Sequence, residues 1–229
     1  MIEAFAKAAS EVGKEASKET DSGLKNFDTR KKVDGSDSKV DNIKTADNKK
    51  TIDIDKRKPI DKNDNKPLSN EKIEKLQNER IAEAEKTPDL NTLDSQAKGN
   101  YAEMKVDRDL AGKGYERISK ECVTDLKTPT GPGIDGVFVD KETGKTLITE
   151  TKFNKSELGD TLDGKQMSSA WIDKRLDAAV GKEMADKIRL DSIIDPDSVQ
   201  SILAKVDLNC EVTYFRLDSA ANIIGGIEL

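Results

Sequence analysis

The chain of 229 residues carries 39 Lys+Arg against 45 Asp+Glu, a formal net charge of −6, with two cysteines and no histidine. The missing imidazole excludes Ser-His-Asp and Cys-His catalysis, His-based acid–base pairs and His-ligated zinc, so any enzyme here works with carboxylates, Lys, Arg, Tyr, Ser/Thr or Cys. Two cysteines are too few for a disulfide framework or a thiolate zinc site, and no apolar run approaches the ~20 residues of a bilayer span.

The start, Met1-Ile2-Glu3-Ala4-Phe5, lacks the basic-then-apolar layout of a secretory signal, so any export is expected by another route. Residues 2–19 are rich in Ala, Glu and Lys and predict a helix. Residues 20–67 have too little apolar area to offset their chain entropy and read as a linker. Asn70 to Lys86 predicts a polar, exposed helix with Ile73, Leu76 and Ile81 on one stripe, ended by Thr87-Pro88. The composition then changes. Residues 1–100 hold 21 basic and 21 acidic side chains, whereas residues 101–229 hold 18 and 24 and therefore carry the whole net charge. Seven of the nine aromatic residues also lie after residue 100. The chain is thus expected to divide into a helical and largely disordered linker or delivery segment, residues 1–92, and a folded domain, residues 93–229.

In that domain Asn100 reads as the cap of a helix stopped by Gly112 and Gly114. Tyr115 to Val123 reads as a strand, followed by the rigid loop Thr128-Pro129-Thr130-Gly131-Pro132-Gly133. Ile134 to Val139 and Thr146 to Phe153 read as a hairpin about Lys141-Glu142-Thr143-Gly144. Gly164 to Val180 predicts a helix, 182–193 and 197–206 further helical stretches, and Glu211 to Leu217 a closing strand. The expected fold is α/β with a mixed sheet of about four strands.

The hairpin has a geometric consequence. With a four-residue loop over 141–144, Asp140 pairs with Lys145 and the register carries Asp135 opposite Glu150, with Cβ atoms about 4.5–5.5 Å apart. Side chains alternate along a strand, so Lys152 shares the face of Glu150. Opposed carboxylates repel unless a proton or a cation lies between them, and hard oxygen ligands suit Mg²⁺ or Mn²⁺. The ordinary alternative is a set of exposed strand charges in a chain that is 37% charged. Against it, Asp135 lies between Gly133-Ile134 and Gly136, a sequence suited to close backbone approach.

Asp135, then Glu150-Thr151-Lys152 fifteen positions on, preceded by a helix carrying Glu103 and followed by one carrying Gln166, resembles the PD-(D/E)xK nuclease superfamily. More narrowly it resembles the nuclease toxin domains of contact-dependent growth-inhibition proteins and of type VI or Rhs-type antibacterial effectors. The likeness is carried by Gly99-Asn100-Tyr101-Ala102-Glu103-Met104-Lys105, Glu150-Thr151-Lys152-Phe153-Asn154, Gly164-Lys165-Gln166-Met167-Ser168, Trp171-Ile172 and Arg175-Leu176. Ile134 stands where that superfamily has proline.

The resemblance implies a restriction-endonuclease-like core and a metal-dependent nuclease acting as a toxin in interbacterial competition. The metal would be held by Asp135 and Glu150, with Lys152 stabilising charge or positioning water, and Glu103 and Gln166 completing the catalytic set. DNA is the expected substrate and tRNA the alternative, with a cognate immunity protein as partner. Such a protein leaves its producer and acts in the cytoplasm of the target cell. A non-catalytic binding module, with the charges as a structural ion-pair network, is the reading of a different class.

Glu103 also stands where a capping box from Asn100 would place it, so a cap and a catalytic role are both open. Arg175 falls inside the apolar arc of its helix and must snorkel, stack on Trp171 or meet a carboxylate; reaching substrate phosphate is one option. With Lys152, Lys155, Lys165, Lys174 and Lys182 it forms a basic strip that could offset the domain's acidity toward nucleic acid.

Overall fold

In the computed structural model, which describes residues 60–61, 66–129 and 131–229, a six-stranded mixed sheet is covered by helices on both faces. The expectations for residues 2–19, and for most of 20–67, lie outside the described residues. From that stretch β1 (Ile60–Asp61) and β2 (Lys66–Pro67) pair as a two-residue antiparallel ladder.

The first long helix, α1 (Asn70–Glu85), is capped by Ser69, whose hydroxyl accepts the Lys72 N–H at 3.2 Å. It buries Ile73, Gln77, Ile81 and Ala84 and packs on α2 (Ser95–Gly112). The cap of α2 is Asp94, not Asn100: the Asp94 carboxylate accepts the Ala97 N–H at 2.7 Å. Asn100 lies inside the helix, fully buried, and its amide donates to the Leu126 and Thr128 carbonyls at 2.9 and 2.7 Å. An amide side chain that satisfies two loop carbonyls does more there than at a helix end that a carboxylate already caps. Glu103 is therefore a mid-helix residue, and the capping-box reading of it is corrected.

The strands β3 (Tyr115–Arg117), β4 (Gly136–Asp140) and β5 (Thr146–Phe153) form an antiparallel meander. Asp140 N donates to Lys145 O at 2.9 Å across the four-residue turn, and Gly136↔Thr149 through Val139↔Thr146 reproduce the expected register. Gly164 opens no helix. A small hairpin, β6 (Asp160–Thr161) with β7 (Gly164–Lys165), comes first, and α3 runs only from Ser169 to Val180. The positive φ of Gly164 and Met167, 104° and 67°, keeps the chain out of helix until Ser168. After α4 (Lys182–Ile194), the predicted helical stretch 197–206 is instead the strand β8 (Val199–Val206). Its apolar residues Val199, Ile202, Leu203 and Val206 fall at helical spacing. In fact β8 lies inside a sheet covered on both sides, where strands lose their alternation.

Two further strands, β9 (Val212–Leu217) and β10 (Ile223–Ile227), complete the sheet order β10-β9-β8-β5-β4-β3, so the expected four strands are six. β8 runs parallel to β5, Thr146↔Val199 to Phe153↔Val206, with α3 and α4 in the crossover. Leu147, Ile202 and Ala204 enter one core layer with Tyr101, Met104 and Leu110 of α2. Ile148 and Leu203 enter the other with Trp171, Leu176 and Ile188 of α3 and α4. Among the described residues no helix is long and apolar enough to cross a membrane.

Candidate active site

The hairpin register brings Asp135 alongside Glu150 and Thr151 in the second half of β5. One residue before β4 begins, Asp135 turns its carboxylate back so that Oδ2 accepts the Thr151 N–H at 2.8 Å. Its neighbour must be glycine, because a Cβ on Gly136 would run into the Phe138 ring and the Thr149 hydroxyl. Glu150, 2% exposed, directs Oε1 to the Lys152 ammonium at 2.8 Å and to the Gln166 amide at 2.7 Å. Its Oε2 is buried without a partner. Gln166 sits in the turn before α3 and is clamped there, since its Oε1 accepts the Gly159 N–H at 3.1 Å and its own N–H donates to Gly159 O at 2.8 Å.

Glu103 reaches the same place from α2. Asp135, Glu150, Lys152, Gln166 and Glu103 line one cleft of about 560 Å³, walled by residues 120–123 and by the loop from Thr128 to Ile134. Its lining holds four acids (Glu103, Glu121, Asp135, Glu150) and two cations (Lys120, Lys152). The electrostatics follow from that excess. Burial, and then the charge of Asp135, push the Glu103 carboxyl up to about 9, against the pull of Arg117. Burial and Asp135 likewise push Glu150 up to about 8 in spite of Lys152 and Gln166. Burial lifts Asp135 to about 6, held down by the Thr151 N–H, Lys152 and Arg117. Three acids that cannot all ionise cheaply in one cleft share protons or recruit a cation.

Among the described residues no group of three or more His, Cys, Asp or Glu is arranged to enclose a metal ion. A Mg²⁺ ion asks for less: one or two carboxylates, with waters and substrate phosphate filling the rest. Asp135 and Glu150 are the hard-oxygen donors, and the orphaned Glu150 Oε2 is an acceptor with nothing in the chain to receive. The residues present fit such an ion.

Apart from Lys152, the basic strip is not gathered at this cleft. Lys155 is exposed, and the Lys165 ammonium donates to Ala221 O at 2.8 Å. Lys174 pairs with Asp163 at 2.5 Å and Lys182 with Asp186 at 3.0 Å. Arg175 takes two of its three structural options, stacking 4.3 Å over the Trp171 ring and pairing with Asp163 at 3.1 Å, while its Nε donates to Pro132 O at 3.0 Å. Lys155, Lys165 and Arg175 do not line the cleft.

Three residues that the motif does not contain matter to the site: Arg117, Asp107 and Gln77. A signal existed for two of them. Gln77 interrupts the Ile73–Ile81 stripe of α1, and Asp107 sits beside Val106 in a buried stretch of α2, positions where a polar residue needs a buried partner. Both cysteines are free thiols. Burial and Asp107 push the Cys122 thiol up to about 12, which leaves it a proton donor to Asp107 and no nucleophile. Comparison of the chain with protein-family models, with curated proteins and with solved structures finds no match.

Proposed function

We propose that this chain hydrolyses phosphodiester bonds in a divalent-cation-dependent reaction, with DNA as its substrate, and serves as an antibacterial toxin effector countered by an immunity protein. The observation that carries the reading is the convergence of Asp135, Glu150 and Lys152, with Glu103 and Gln166, on one cleft in which the carboxyls are displaced toward neutral pH. The order helix, three-strand meander, helices and parallel strand supports a restriction-endonuclease-like core of the PD-(D/E)xK superfamily around it.

Mg²⁺ or Mn²⁺, held by Asp135 and Glu150, would polarise the phosphate and lower the pKa of a bound water. The protein's own groups have separate tasks. Gln166 and Lys152 take Glu150 Oε1 and so leave Oε2 as the free acceptor. The Lys152 ammonium, 17% exposed, faces a cleft in which it can hold a phosphate oxygen or orient a water as negative charge develops. Glu103 keeps a proton near neutral pH, as a proton donor to a leaving oxygen must. With Lys165, Lys174, Arg175 and Lys182 bonded elsewhere and Lys155 outside the cleft, phosphate attraction falls to Lys120, Lys152 and the bound cation.

The test is incubation of the full chain with plasmid DNA and with total tRNA in Mg²⁺ or Mn²⁺, with and without EDTA. Cleavage is expected to vanish in EDTA and to fall by about 10²-fold or more in Asp135→Asn, Glu150→Gln and Lys152→Met. Cleavage of tRNA alone would replace the DNase reading with an RNase. Absence of cleavage of both substrates would leave a non-catalytic module, and variants as active as the parent would remove the chemistry from this cleft.

A further inference from the structure

Behind the cleft lies a second polar assembly, built from α1, α2 and β3. The Arg117 side chain, 15% exposed, directs Nε and Nη2 to Asp107 Oδ1 at 3.2 and 2.5 Å. Its Nη1 meets Ser119 Oγ at 2.6 Å, Glu121 O at 2.6 Å and Asp135 O at 3.0 Å. The guanidinium lies 4.9 Å over the Phe138 ring. Asp107 is held in turn, because its Oδ2 accepts from Gln77 Nε2 at 2.8 Å and from the Cys122 thiol at 3.4 Å. Gln77 also donates to Val123 O at 2.8 Å.

These contacts share a direction. Three acceptors, on Glu121, Val123 and Asp135, are backbone carbonyls of residues that line the cleft. Asp135 lies just outside β4 and has no strand ladder to fix it. Its carboxylate is tied to Thr151 N and its carbonyl to Arg117.

We propose that Arg117 is the positioning residue for Asp135, and that Gln77 and Asp107 set its guanidinium, so that α1 acts on the cleft through this relay. The inference rests on the nuclease reading of the same site. A planar fork with five donors can grip a carboxylate, a hydroxyl and two carbonyls at once, and an ammonium of equal charge cannot. Arg117→Lys therefore separates geometry from charge.

The experiment uses the full chain and three readouts: Mn²⁺ binding without substrate, followed by electron paramagnetic resonance; kcat and KM for plasmid cleavage; and hydrogen exchange at the Thr151 amide. In a cooperatively folded Arg117→Lys protein, Mn²⁺ binding is expected to weaken about 10- to 100-fold, as when an outer partner of a metal ligand is lost. A drop in kcat with KM within about twofold goes with it. The Thr151 amide should exchange faster while amides of β8 keep the parent rate. Gln77→Leu, which does not itself line the cleft, should move the three readouts the same way by a smaller factor.

The inference is overturned if folded Arg117→Lys binds Mn²⁺ and exchanges at Thr151 as the parent does. If Arg117→Lys fails to fold, the same result for Gln77→Leu overturns it. Should the parent itself neither bind Mn²⁺ nor cleave, the nuclease reading fails, and Thr151 exchange alone still decides the role of Arg117.

Discussion

Two polar assemblies lie a few residues apart in this fold, and their accounts are opposite. Around Arg117 every charged oxygen has a partner: both oxygens of Asp107 are bonded, and the guanidinium spreads over a carboxylate, a hydroxyl and two carbonyls. In the cleft four acids face two cations, and Glu150 Oε2 accepts nothing. The first assembly meets its own charges, with only the neutral Gln77 Oε1 left without a partner, and builds structure. The second is incomplete without something from outside, and burial of its carboxyls works against the fold. The contrast locates the chemistry, because an unmet requirement that the fold tolerates is where a ligand has most to offer.

The strongest way to break this contrast is to damage the cleft without changing a charge. Gly136→Ala should do so. Its Cβ has no room between the Phe138 ring and the Thr149 hydroxyl, so β4 must shift and carry Asp135 with it. Stability should drop by about 3 kcal/mol, the upper end of an overpacked core, read as a lower urea midpoint, and cleavage should be lost with it. A parent-like midpoint would mean that the close approach at Gly136 is not what seats Asp135.

The site was more legible than the fold around it, for physical reasons. Four residues from Lys141 to Gly144 and a side-chain period of two are enough to expect Asp135 against Glu150; the register agrees from Val139 to Gly136, and Asp135 lies one residue beyond the ladder, held to Thr151 N. Strand β8 was not legible, since Val199, Ile202, Leu203 and Val206 repeat like a helix and only the parallel partner β5 decides otherwise. Asn100 and Asp94 are both good caps, and it is the loop carbonyls of Leu126 and Thr128, far along the chain, that draw Asn100 inward. The role of Arg117 was hidden for the same reason: its partners Asp107 and Asp135, and the Gln77 that holds Asp107, lie in separate parts of the chain, and no spacing in the sequence links them.

A milder test titrates the contrast. In the folded chain Asp135, Glu150 and Glu103 keep protons up to about 6, 8 and 9, whereas unfolded carboxyls release theirs near about 4. Between those limits the folded state binds more protons than the unfolded state, so stability falls as pH rises. It is fully present below about pH 4 and lost progressively toward about pH 9. Metal-free protein should therefore show a urea midpoint that declines from about pH 5 to about pH 9, and Glu103→Gln should flatten the decline. Mg²⁺ should raise the midpoint at the alkaline end and do little at the acid end, where protons already neutralise the site. A midpoint that climbs through this window would show that these acids ionise freely and that the cleft is no different from the surface.

The smallest effect is expected where a satisfied assembly stands apart from the cleft. Arg175 stacks on Trp171, pairs with Asp163 and holds Pro132 O, so its donors are spent inside the protein and it does not line the cleft. Arg175→Lys keeps the charge but loses the flat stacking surface and the fork, at a cost of about 1 kcal/mol. The KM for nucleic acid should stay within about twofold of the parent, because no phosphate contact is removed. Lys155, exposed and near the end of β5, makes the useful control: if Arg175→Lys raises KM more than Lys155→Ala does, the guanidinium leaves Asp163 when substrate binds. The line between the assembly that builds and the cleft that acts would then run through α3 and not beside it.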